Sequence, residues 1–108
     1  MTKVVIQSGS CGFTVTVTAE KGTGRAVRIS LATDCEMVQK MLEDIATLDR
    51  TAALAGFSHN PVYLSASRHL IHPVCPVPSG ILKALEVEAG LNVPRDVTVV
   101  FEKKKKGP

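Results

Sequence analysis

Three cysteines and one histidine carry the chemistry this sequence can do. Cys11 sits in "SGSCG" (8–12), Cys35 in "TDCEM" (33–37) and Cys75 in "IHPVCPVPSG" (71–80). His72 stands three residues before Cys75. Thiolates bind soft metals and attack electrophiles, and an imidazole completes a ligand set or serves as a base. Cys11, Cys35 and Cys75 with His72 would make a tetrahedral zinc site. Three thiolates with an exchangeable fourth position would equally suit an iron–sulfur cluster. Spacing does not help, because no C-x-x-C pair is present. The case for a shared site therefore rests on where the fold puts the three residues.

Two other readings use the same residues. Without metal, Cys35 would be a nucleophile, Cys11 or Cys75 would resolve it, and His72 would be the base. Free cysteine is also among the most buried residue types and packs as a small hydrophobe. The protein is then a structural or interaction module. No nucleophile elbow or Ser-His-Asp order is visible, so whether the chain is an enzyme stays open.

The elements that position the cysteines are read from periodicity. "KVVIQS" (3–8) is a short strand. "FTVTVTAE" (13–20) alternates, with Phe13, Val15, Val17 and Ala19 on one face and three threonines on the other. "AVRISLA" (26–32) repeats the pattern, with Val27, Ile29 and Leu31 inward. That is an antiparallel sheet with one wet face. Residues 33–56 switch period: Val38, Met41, Leu42, Ile45 and Leu48 mark one helix face. Thr33 or Asp34 would cap this helix, Glu36 suits its first turn, and Gly56 would stop it. A second helix is expected over 60–71, with Asn60 as cap and Pro61 at the first helical position. A third is expected from Ser79 to Gly90. "DVTVVFEK" (96–103) reads as a last strand with Val97, Val99 and Phe101 on one face. The order β-β-β-α-α-α-β implies an α+β two-layer sandwich. Its sheet has four strands, mixed but mainly antiparallel, and its three helices lie on one face.

A meander brings the "SGSCG" turn and the exit of the third strand to the same end of the sheet. Cys11 lies at the first and Cys35 at the second. Short connections make neighbouring helices antiparallel, so the second helix climbs back and "HPVCPVPS" reaches that end too. Two helix N-termini arrive with it, beside Cys35 and just after Cys75. Their free N–H groups favour a thiolate, most of all at Cys35. Pro73, Pro76 and Pro78 stiffen the third loop, which suits a held ligand and equally a plain chain reversal.

Totals set bounds. The chain has 108 residues, enough for one domain over 1–102 followed by a basic tail, 103–108. The net charge of +3 comes from Lys103, Lys104, Lys105 and Lys106; without them the body carries −1. A terminal lysine run is usually a solvated end. Aromatics are 4% with no Trp, which argues against a nucleic-acid stacking platform. No run approaches a membrane span and no leader is apparent, so the chain reads as cytoplasmic. An odd number of cysteines forbids complete internal pairing. A protein partner or a second copy of the chain remains as the kind of partner.

Other residues read as structural. His59 belongs to a turn before Asn60-Pro61 and His69 to the second helix. Arg25 and Arg28 are strand charges, and nothing demands that Arg68 face an anion. Asp34 and Glu36 serve the helix start better than acid–base work. "KGTGR" (21–25) has no following helix, so it is not a phosphate loop.

"SGSCGF", a mid-chain cysteine at a helix start, and "CPVPSGILKALEVEAGLNVPRDV" resemble a small family of uncharacterised single-domain proteins. The resemblance covers most of the chain. It implies that the segments around Cys11, Cys35 and Cys75 belong together, and it brings no activity with it.

Overall fold

The computed structural model describes residues 1–51 and 54–103. Three strands come first: β1 (Thr2–Gln7), β2 (Thr14–Lys21) and β3 (Ala26–Ala32). They form the expected antiparallel meander. Alternation is the cause. Ile6, Val15, Val17, Ala19, Val27 and Ile29 are buried, and their chain neighbours point to the other face. Register keeps like with like: Ile6 faces Val15, and Ala19 faces Ile29.

Helix α1 (Glu36–Ile45) is shorter than the expected 33–56. It buries Val38, Met41 and Ile45 and then stops. The chain turns into β4 (Thr47–Asp49), which pairs antiparallel with β3, Leu48 opposite Val27. Leu48 satisfies the helical spacing from Ile45, yet it is buried as a strand residue. Thr47 and Asp49 are poor helix formers, and the edge of β3 offers them partners. The Ile29 N–H donates to the Ala46 carbonyl at 2.9 Å, and the Arg50 N–H to the Arg25 carbonyl at 3.0 Å. Gly56 is therefore no helix stop.

Helices α2 (Pro61–His69) and α3 (Val77–Glu88) follow. The buried Asn60 caps α2 by accepting from the Val62 N–H at 2.9 Å, and Pro61 opens the helix as expected. α3 begins two residues before Ser79, with Pro78 in its first turn, where a proline displaces no hydrogen bond. α1 packs on β3, α3 packs on β1 and β2, and α2 lies chiefly against the other two helices.

The fold is α+β, with a four-stranded sheet and three helices, as expected. Its chain order is β-β-β-α-β-α-α, and the open sheet runs β1-β2-β3-β4 with every pairing antiparallel rather than mixed. The fourth strand is β4, not residues 96–103. That segment pairs with no strand among the described residues. β4 fills the place beside β3, whereas the outer edge of β1 stays open. Lys103 is exposed, and the rest of the expected basic tail, from residue 104 on, lies outside the described residues. Among the described residues no helix is long and apolar enough to cross a membrane.

Candidate functional site: a cavity with three cysteines

Cys11 ends a single 3-10 turn, Gly9–Cys11, that links β1 to β2. Gly9 and Gly12 flank it with φ of 78° and 76°, a left-handed backbone that glycine adopts freely. The Gly12 N–H closes the turn on the Gly9 carbonyl at 2.9 Å, and the Ser8 N–H bonds the Phe13 carbonyl at 3.0 Å. Cys11 itself is exposed.

Cys35 occupies the cap position of α1, one residue beyond the expected Asp34. It makes no side-chain cap bond. Its N–H donates instead to Thr33 Oγ1 at 3.1 Å, and its carbonyl accepts from the Gln39 N–H at 3.0 Å. Glu36 lies in the first turn as expected. Cys35 is buried at 7% exposure and belongs to the apolar core.

Cys75 lies in the loop between α2 and α3. Its N–H donates to the His72 carbonyl at 3.1 Å, which folds the "HPVC" turn. It is partly buried and packs against the core. Burial pushes its thiol pKa up. The Val77 N–H, at the start of α3, pulls the other way, while the sulfurs of Cys11 and Cys35 push it higher still. The helix-terminus argument thus acts at Cys75 in the expected direction, but desolvation outweighs it.

The three cysteines and His72 line one cavity of about 350 Å³ at the end of the sheet where β1, β3 and α2 finish. Ser8, Ser10, Phe13, Met37 and Leu70 are also in its wall. Sequence reasoning missed Ser8 and Ser10, whose only signal was their place in the "SGSCG" turn. Phe13, expected in the core, lies at the rim at 37% exposure. A second recess of similar size lies behind the loop, lined by Tyr63, Ser67 and Pro78. Leu70, His72 and Cys75 border both recesses, so the loop is a partition between them. Among the described residues, no three His, Cys, Asp or Glu side chains stand close enough together to hold a single metal ion.

The second helix is fixed by an ionic clamp. Asp44 of α1 accepts from the fully buried Ser65 hydroxyl at 2.7 Å and pairs with Arg68 at 3.2 Å and His69 at 3.0 Å. These bonds, Ser65 first, hold the Asp44 carboxyl below its usual range. His69 and Arg68 thus have structural partners, as the sequence suggested for His69. Arg25 pairs with Asp49 at 3.3 Å and Arg28 with Glu20 at 3.4 Å, both at the surface. His59 lies in a turn and donates its backbone N–H to the Gly56 carbonyl.

No curated protein and no solved structure matches the chain. One family does, with its match running from residue 2 to residue 101 and so taking in all three cysteines and both walls of the cavity. The chain belongs to DUF6951, a family of unknown function.

Proposed function

We propose that the cavity holds an iron–sulfur cluster through Cys11, Cys35 and Cys75, with His72 or an exchangeable ligand at the remaining position. The observation that carries the reading is the single cavity lined by all four side chains. A single zinc needs its ligands drawn to one point, and among the described residues no such group of three is present. A cluster takes each thiolate on a different iron, so its ligands are spread around it. The largely apolar wall would shield the cluster from water, and Ser8 and Ser10 bring hydroxyl groups to that wall. The reading takes the chain as cytoplasmic, where its free thiols stay reduced.

Purification without oxygen, followed by absorbance and elemental analysis, tests this. Brown protein with iron and acid-labile sulfide supports it. Colourless protein that refuses reconstitution with iron and sulfide overturns it, and zinc at one per chain would return the site to the Cys and His set expected for a single ion.

A second reading rests on one observation, the place of Cys35 in the apolar core. Here the cysteines are packing residues and the domain is an interaction module. Under this reading Cys35→Ala costs stability and changes no metal content.

A further inference from the structure

Residues 96–103 have the alternation of a strand and no strand partner among the described residues. Val97, Val99, Val100 and Phe101 are 65 to 95% exposed. The Arg95 N–H bonds only the nearby Val93 carbonyl, and the following residues make no long-range backbone hydrogen bond among the described residues. The molecule is elongated, 61 Å against 29 and 26 Å on its other axes. Its radius of gyration is 14.9 Å, where a compact domain of this length has about 13 Å. The family match runs to residue 101, so the arm belongs to the domain and is not an appended tail.

The partner surface is also visible. β1 is an edge strand bonded to β2 alone, and its outer row of backbone N–H and C=O groups is open to pairing. Val5, on its wet face, is 59% exposed. No charge blunts this edge except Lys3.

We propose that the arm of one copy of this chain lies antiparallel along the outer edge of β1 in a second copy, and that the two copies exchange arms. One register satisfies both sides. Glu102 falls opposite Lys3, Phe101 opposite Val4, Val100 opposite Val5, Val99 opposite Ile6 and Thr98 opposite Gln7. Phe101 and Val99 then extend the buried layer beside Ile6. Val100 covers the exposed Val5 on the other face, and an ion pair forms at the strand end. α3 runs antiparallel to β1, with Gly80 against Ile6 and Glu88 bonded to Thr2. An arm leaving α3 therefore reaches its own β1 only in parallel. No parallel register sets an acid directly opposite Lys3 and a valine directly opposite Val5 at once. Exchange between two copies is isologous, and it fills both open edges.

The test is light scattering after gel filtration on the full chain, across a concentration series. The expected mass is twice 11.5 kDa. Val99→Asp with Phe101→Asp gives a folded monomer whose melting, unlike the parent's, does not depend on protein concentration, because both side chains lie exposed in the single copy. Lys3→Glu places like charges opposite each other twice per dimer and raises the dissociation constant roughly tenfold. Adding Glu102→Lys to the same chain restores it. A chain that is monomeric throughout overturns the proposal. So does a dimer that the arm variants leave intact, or a Lys3→Glu defect that Glu102→Lys does not rescue.

Discussion

Gly80 of α3 lies so close to Ile6 of β1 that a β-carbon on the glycine would overlap the isoleucine's Cδ1 and Cγ1. This contact seats the helix that follows Cys75 directly on the strand that leads to Cys11. The spacing of two walls of the cavity depends on it.

Gly80→Ala gains helix propensity of about 1 kcal/mol and pays for overpacking of about 1–3 kcal/mol, so a net loss is expected. Ile6→Val removes Cδ1, the nearer of the two overlapping atoms, and should recover part of the loss when combined with Gly80→Ala. Urea melts of the two single variants and the double variant measure this. Additive losses would show that the overlap is relieved elsewhere.

Ser65 and Asp44 should show an asymmetry. Asp44→Ala leaves a fully buried hydroxyl without its acceptor, at about 1–3 kcal/mol. Ser65→Ala leaves a carboxylate that still has Arg68 and His69, so it costs less. The double variant should be no worse than Asp44→Ala alone. The Asp44 carboxyl is held low, so its contribution is present above the ordinary carboxylate range. It is lost as pH falls through its lowered value. Melts from neutral to acid pH should therefore fall less steeply in Asp44→Asn than in the parent.

Cys75 gives the opposite pH sign. Its folded thiol pKa is raised, so the folded chain keeps a proton that the unfolded chain releases first. Its contribution is complete below the ordinary thiol range and is lost as pH climbs through the raised value. Denaturant melts from neutral to alkaline pH should show this fall in the parent and less of it in Cys75→Ala. Equal slopes would remove the case for a desolvated thiol.

Ligand and packing roles separate at the same position. Cys75→Ser in a cluster protein loses visible absorbance and iron, and a chelator no longer changes its melt. In a packing role the hydroxyl costs about 1–3 kcal/mol whether or not chelator is present. Paired melts with and without chelator, read beside the spectrum, decide between them.

The sequence carried the meander and the three helices because their signals are local. Alternation on β2 and β3 needs no partner to be read, and Asn60-Pro61 announces α2 by itself. Leu48 defeated the same logic, since its spacing fits a helix face and an inward strand position alike. Only the open edge of β3 decides between them, and that edge is a tertiary fact. Residues 96–103 show the converse. Their alternation is that of a strand, but a pattern says which face a side chain prefers and not which edge is free to receive it. The gathering of Cys11, Cys35 and Cys75 at one end followed from chain direction alone. The raised thiol at Cys75 did not, because desolvation depends on how the surrounding side chains pack.

Gly9 and Gly12 bracket Cys11 in the left-handed region, and a β-carbon at either would meet nothing within 4 Å. Room is therefore not what keeps these positions bare. Handedness is: an L-residue there carries strain of about 1–2 kcal/mol, whereas its mirror image fits the same backbone without it. A chain made by chemical synthesis with D-alanine at Gly12 should hold Cys11 at the cavity as the glycine does, while L-alanine turns it aside. The aim of this thiol is guarded by chirality, with no neighbouring side chain needed to enforce it.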